Sequence, residues 1–381
     1  MRKGWEYKKL GEVATYINGY AFKPDQWKES GTPIVRIQNL NNANAPYNYY
    51  DGEVPDKVKI QNGDLLISWS ASLGAYIWNG GNAFLNQHIF KVAFDKTDID
   101  KFFLKYAVTS KLAAMAEQVH GATMKHIVKK DFDNTQIPYP PKSTQLAIVS
   151  ELDKINELIR LKKEQLKDFD NLAQSLFYEM FGDPVENEKG WEVKKIGDLA
   201  LVKTGPFGSM LHKEDYICDG IPLVNPIHMK DYKIVPDLDF TISKEKASEL
   251  ENYLLKRNDV VFARRGDIGR CAIVSEAEQG FICGTGSLFV RFSKEIESIF
   301  IMYIIRCDSF SKHLISKAKG ATMLNINSNT IADLRIPLPP LPLQRLFAQR
   351  IEQIEREKSE VQKSIQDLET LLASRMQYWF E

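Results

Sequence analysis

The sequence predicts a mixed α/β (α+β) chain. Two globular heads alternate with two long helices that pair as an antiparallel coiled coil, and the whole carries an internal pseudo-two-fold repeat. Three observations predict this. The tetrapeptide GATM occurs at Gly121 and again at Gly320, 199 residues on, and its surroundings repeat with it. Each copy closes on a stretch whose apolar residues recur at heptad spacing. Ahead of each GATM lie short β-rich runs followed by one amphipathic helix.

The first copy opens on GWEYKKLGEVA from Gly4, answered by GWEVKKIGDLA from Gly190 at an offset of 186. GTPIVRI from Gly31 answers GIPLVNP from Gly220, and GDLLISWS from Gly63 answers NDVVFARR from Asn258. The β-rich runs DLLISWSA, IFKVAF, DVVFARR and SLFVRF follow this plan. Then come the helical stretches DIDKFFLKYAVTSKLAAMAEQVH and SIFIMYIIRCDSFSKHLISKAK, which the glycines of GATM end as left-handed caps, with Thr123 and Thr322 placed to cap the next turn. Downstream, IPYPPKSTQ from Ile137 matches IPLPPLPLQ from Ile336, and Phe181 matches Phe380, at the offset of 199. The second copy therefore carries about 13 extra residues in its variable middle. The period is too long for a solenoid and marks a duplicated head with its appendage.

The appendages are the long helices. Apolar residues fall at 148, 152, 155, 159, 166, 169, 173, 176 and 180, with Lys162 the charged intruder. The second seam runs through 347, 351, 354, 361, 365, 368 and 372, with Lys358 intruding. Paired antiparallel, the seams put Ile148 opposite Trp379, Leu166 opposite Val361 and Met180 opposite Phe347, one of several registers a heptad apart. The expected segments are a first head at 1–142, a first helix at 143–181, a second head at 182–341 including a linker at 182–189, and a second helix at 342–381.

At 43.6 kDa, 44% apolar and 26% charged, the chain reads as soluble, with two or three cores. The opening MRKGWEYKKL lacks an apolar run after its charges, and no segment approaches 18 unbroken apolar residues. Neither a signal peptide nor a membrane span is therefore expected. The four cysteines, never in C-x-x-C spacing, are expected as reduced thiols in a cytoplasmic protein. The zero net charge hides a division: the heads carry +4 (1–142) and +2 (189–341), the helical stretches −5 (143–188) and −1 (342–381). Mildly basic heads remove the objection that a neutral chain raises to nucleic acid.

Catalytic patterns are absent from the sequence. The Pro-Pro pairs follow Tyr139 and Leu338, which is not the loop an adenine methyltransferase needs. There is no phosphate-binding G-x-x-x-x-G-K-[ST], CGTGSLF is no dinucleotide fingerprint, and the six histidines show no ligand spacing. A nuclease-like set of Asp183, Glu192 and Lys194 fails, because Glu192 and Lys194 recur as Glu6 and Lys8 with no acid upstream. No catalytic and no metal-ligating residue is expected, which favours a binding or scaffolding role.

The paired GWE openings, the GDLLIS-like strand, the G-A-T-M…I…IP-x-PP-x-x-x-Q block seen twice and the SLFYEMFGDP helix exit together resemble the DNA specificity subunit of type I restriction–modification systems. The resemblance covers essentially the whole chain. It implies two target-recognition domains, each reading one half of a bipartite, asymmetric DNA target. It implies spacer helices that set the unread gap and dock two methyltransferase subunits, with motor–endonuclease subunits joining that core. Adenine-N6 methylation with S-adenosylmethionine, and ATP- and Mg-dependent cleavage, would then belong to the partners, and no cofactor to this chain. A helix of about 32 residues between Ile148 and Met180 spans roughly 48 Å, or about 14 base pairs. Two other readings stay open: a coiled-coil adaptor with protein-binding heads, and a detached recognition module of a fused restriction–methylation enzyme.

Base edges are read by Arg or Lys at guanine and Asn or Gln at adenine, at positions where the copies diverge. The candidates in the first head are Arg36, Gln38 and Asn39, Ser68 to Ser70, and Gln87 with His88. In the second head they are Asn225 and His228, Arg264, Arg265 and Arg270, and Ser287. Thr123, Lys125 and Thr322, in or beside the shared tetrapeptide, suit phosphate contacts. Each has a plainer alternative: His88 and His228 as polar packing, Trp69 as core, Lys162 and Lys358 as register devices, and the loop arginines as solvated charge.

Overall fold

A Pro-Pro corner opens each of the two longest helices. Pro141 and Pro340 accept the first backbone bonds of α5 (Lys142–Phe181) and α11 (Leu341–Phe380), each 40 residues long. A glutamine clamps each corner. Gln145 donates from Nε2 to Pro140 O at 2.9 Å and accepts the Asp100 N–H at 2.8 Å; Gln344 does the same with Pro339 at 2.8 Å and Glu297 at 3.1 Å. Both side chains are buried. The computed structural model describes residues 4–42, 44–118, 127–207, 210–318 and 325–381.

The contacts divide the chain into two units, 1–163 with 363–381, and 164–362, so each unit holds a head with a part of both long helices. The division falls in the middle of α5 and of α11.

The first unit contains β1 (Glu6–Lys9), α1 (Leu10–Val13), β2 (Thr15–Asn18), β3 (Thr32–Val35), α2 (Ile37–Asn41), β4 (Asn48–Tyr50), β5 (Lys59–Ile60), β6 (Leu65–Ser68), β7 (Gly74–Ile77), β8 (Ala83–Leu85) and β9 (Ile89–Ala93). After these come α3 (Lys101–Gln118), α4 (Lys129–Asn134) and β10 (Gln136–Tyr139). An antiparallel sheet runs β2-β9-β6-β7, and a mixed sheet runs β4-β3-β8-β5 with β3 parallel to β8. The GWE strand β1 pairs antiparallel with β10, the IP strand of the repeated block. Phe380 closes the core from the end of α11, 5.3 Å from Phe103.

The second unit repeats the plan with β11 (Val193–Lys195), α6 (Ile196–Leu199), β12 (Ala200–Thr204), β13 (Tyr216–Ile217), β14 (Ile221–Val224), β15 (Met229–Lys230), β16 (Lys233–Ile234), β17 (Thr241–Ile242), α7 (Lys244–Glu249), β18 (Val260–Ala263), β19 (Cys271–Ile273), β20 (Ile282–Cys283) and β21 (Ser287–Phe292). It ends with α8 (Ser298–Arg306), α9 (Asp308–Lys317), α10 (Ser328–Ala332) and β22 (Arg335–Pro337). Its sheets run β12-β21-β18-β19 and β13-β17-β14-β20, with β14 parallel to β20, and β11 pairs with β22. Here Phe181 from the end of α5 closes the core, 4.8 Å from Phe300.

The single helix expected after β21 is two. Cys307, fully buried, takes an extended backbone between α8 and α9, and its thiol donates to Tyr303 O at 3.2 Å. Keeping that side chain in the core turns the chain out of the first helix. The NDVVFA variant of the strand also has a local cause. Gly63 and Asn258 occupy the same turn with φ of +90° and +69°, a region that asparagine tolerates next best to glycine.

The long helices pack antiparallel in each unit. In the first, Glu151 pairs with Arg375 and accepts Trp379 Nε1 at 3.1 Å, while Lys163 Nζ meets Glu369 at 2.7 Å. In the second, Lys358 pairs with Asp170 at 2.8 Å and Glu355 at 3.1 Å, and Phe347 packs between Phe177 and Phe181 at 5.6 and 5.3 Å. These two partners of Phe347 flank Met180, the partner expected from the sequence. Among the described residues, no helix is long and apolar enough to cross a membrane.

Candidate nucleic-acid interface

In the second head, three loops converge on the turn Gly284–Ser287 that enters β21. Arg264, just past β18, donates its N–H to Gly286 O at 3.1 Å and accepts Ile326 N–H at 2.9 Å. Asn225, just past β14, accepts the Gly286 N–H on Oδ1 at 3.1 Å. Gly205, just past β12, donates to Ser287 O at 3.0 Å. The approach there is so close that a Cβ on Gly205 would stand 2.0 Å from Gly284 O.

The first head builds the same junction from different side chains. Trp69 donates its N–H to His88 O at 3.5 Å and accepts Ile127 N–H at 3.1 Å, so it holds the backbone place of Arg264, and His88 that of Gly286. Gly19 donates to Ile89 O at 3.1 Å, and a Cβ on it would stand 2.2 Å from Asn86 O. Arg36 and Asn225 follow equivalent strands. Each donates its N–H to the side chain three residues on, to Asn39 Oδ1 at 3.0 Å and to His228 Nδ1 at 3.2 Å.

These junctions collect every candidate that the structure describes, but not all face solvent. Asn39, Ser68, Ser70, His228 and Ser287 are buried. These five side chains are packed within the protein rather than presented on its surface. Asn39 spends its amide on Ala45 O and Pro46 O, each at 3.2 Å, and with His228 serves as a cap for its loop. Ser68 Oγ donates to Ser70 O at 3.3 Å, and Ser287 Oγ has no partner.

Gln38, Gln87, Arg265 and Arg270 are exposed; Arg36, His88, Asn225 and Arg264 are half-buried. Arg36 is occupied by Asn48 Oδ1 at 3.0 Å and by the Trp27 ring at 4.9 Å, and Arg270 by Asp267 at 2.8 Å and Pro226 O at 3.2 Å. His88 packs edge-on against Trp69 at 5.5 Å, and Trp69 stacks on Phe90 at 5.6 Å. Thr123, Lys125 and Thr322, with both GATM tetrapeptides, lie outside the described residues.

Arg264 and Arg265 are adjacent cations at the junction of the second head. Neither makes an ion pair among the described residues, and the buried Nε of Arg264 has no partner. Burial and then the neighbouring Arg265 charge lower the Arg264 pKa. Two cations held side by side without a carboxylate favour an anionic ligand. Among the described residues, no three His, Cys, Asp or Glu side chains gather as a metal site. Sequence reasoning passed over Phe207 and Ile227, which stand exposed on the loops after Gly205 and Asn225. Their signal was present as bulky apolar residues inside the turn sequences GPFG and NPIH.

The Type I restriction modification DNA specificity domain matches residues 2–168 and 188–370. The EcoBI specificity subunit of Escherichia coli is 22% identical over 389 residues, spanning 95% of this chain and 81% of that protein. The MjaVIII specificity subunit of Methanocaldococcus jannaschii is 23% identical over 402 residues, spanning 97% and 92%. The S subunit of a type I restriction–modification system from M. genitalium aligns over 100% of this chain and 98% of its own, at a TM-score of 0.55 and 14% identity. A chain from a structure of type I system assembly and conformational transition aligns over 99% and 97%, at a TM-score of 0.66 and 18% identity. Two matched segments, one per head with its following helix, make the chain a member of the type I restriction–modification DNA specificity family.

Proposed function

We propose that this chain is the non-catalytic recognition subunit of a type I restriction–modification complex in the cytoplasm, each head reading one half of a bipartite, asymmetric target. The observation that carries this reading is one loop junction built twice with different side chains at equivalent backbone positions. Trp69 stands where Arg264 does, His88 where Gly286 does, and Gln38 where Ile227 does. Common backbone bonds hold the frame, and the divergent side chains carry the information, so two heads read two different half-sites. The paired helices set the unread gap and offer their outer faces to two methyltransferase subunits, which motor–endonuclease subunits join. S-adenosylmethionine, ATP and Mg belong to those partners, and this chain binds none of them.

Exchanging residues 1–142 for the head of a relative tests the reading. The methylated motif of the assembled complex should change in one half and keep the other. An unchanged motif would refute modular recognition. A complex with no salt-dependent affinity for DNA would point instead to an adaptor with protein-binding heads.

A further inference from the structure

The two most exposed large apolar side chains among the described residues are Ile227, 69% exposed, and Phe207, 64% exposed. Both belong to the loop junction of the second head. Phe207 lies two residues beyond Gly205, which is anchored on Ser287 and pressed against Gly284. Ile227 follows Pro226, whose carbonyl accepts Arg270 Nη1 at 3.2 Å, and lies two residues beyond Asn225, which is anchored on Gly286. Each side chain stands close to an anchored residue: Gly205 donates its backbone N–H to Ser287 O, and Asn225 is held through its side-chain Oδ1 on Gly286 and its carbonyl on the His228 N–H. The corresponding places in the first head, two residues beyond Gly19 and Arg36, carry Ala21 and Gln38. The apolar pair therefore differs between the heads, as a specificity element must.

The surroundings say what covers these side chains. Arg264 and Arg265 stand on the same junction without a carboxylate partner among the described residues. An occupant that is both anionic and apolar at isolated points fits duplex DNA entered from the major groove. The apolar feature of a base edge there is the C5-methyl of thymine. Resting on the DNA-recognition reading above, we infer that Ile227 and Phe207 read thymine methyl groups in the half-site of the second head, with Arg264 and Arg265 supplying the adjoining positive charge. The geometry gives the second head an apolar mode of reading where the first head has Gln38, a residue suited to adenine.

The test uses the assembled complex and duplexes carrying its methylated motif, with thymines of each half replaced one at a time by uracil, which lacks only the methyl. At least one replacement in the second half should weaken binding about fourfold, the worth of one buried methyl. That penalty should vanish in Ile227→Ala or in Phe207→Ala, and replacements in the first half should affect wild type and both variants alike. The inference is overturned if the second half contains no thymine, or if the uracil penalty survives in both variants. It is equally overturned if the variants lose the same affinity on thymine and uracil duplexes, the mark of a wedge between base steps. A complex that prefers no duplex over a scrambled one would fail the DNA reading itself, an outcome distinct from specific binding that ignores the methyl.

Discussion

Gln145 and Gln344 each satisfy a proline carbonyl and a backbone N–H that would otherwise be buried unpaired. Gln344→Ala should lower the stability of the second unit by about 1–3 kcal/mol, measured by denaturant unfolding, because the Pro339 carbonyl and Glu297 N–H lose their partner. A loss indistinguishable from that of an exposed glutamine would contradict the clamp. At the candidate interface, replacing both Arg264 and Arg265 by alanine should reduce the slope of log affinity against log salt by up to about 2, roughly 0.9 per phosphate contact. An unchanged slope would place these arginines away from the duplex. The sequence marked both glutamines as part of a repeated block, yet their burial depends on the Pro-Pro corner folding back over them. Asn39 and His228 show the converse. They differ between copies, which marks them as candidates for base reading, and each also accepts a backbone N–H at the equivalent turn of its own head. Identity along the chain does not reveal which side of a loop faces the core.

Heptad spacing is a property of the sequence itself, so both long helices and their antiparallel pairing were legible in advance, and Lys358, the charged intruder in the second seam, is ion-paired with Asp170 and Glu355. The break between α8 and α9 was not legible, because a buried cysteine carries no helix-stop signal. At one end of the helix pair, Glu151 is held by Arg375 and Trp379, and the Arg375 hydrogen bond is the chief cause that lowers its pKa below the ordinary 4.5. With a depressed folded pKa, its contribution is present above the ordinary glutamate value and lost as pH falls through the folded one. Glu151→Gln should therefore flatten the acid side of the stability profile of the first unit below about pH 4.5 and lower stability at neutral pH. An acid limb identical to wild type would contradict this. If the helices are the ruler, inserting four residues in each adds about 6 Å and should lengthen the unread gap by one or two base pairs. A fixed gap would show that something else sets the spacing.

For the molecule as a whole, the neutral net charge is the sum of basic heads and acidic helices, and the duplication is visible down to single hydrogen bonds. Family and architecture were legible because the repeat writes each structural marker twice. The candidate reading side chains were legible only as positions where the copies diverge, because folding decides which of them are exposed at the two loop junctions. As proposed above, this chain directs adenine methylation by its partners to a bipartite, asymmetric motif. The direct measurement is a map of N6-methyladenine across the host genome with the gene intact and deleted. One such motif should lose its methylation on deletion and regain it when the gene is restored. A methylation map that deletion leaves unchanged, in a host whose partner methyltransferase is expressed, would contradict it.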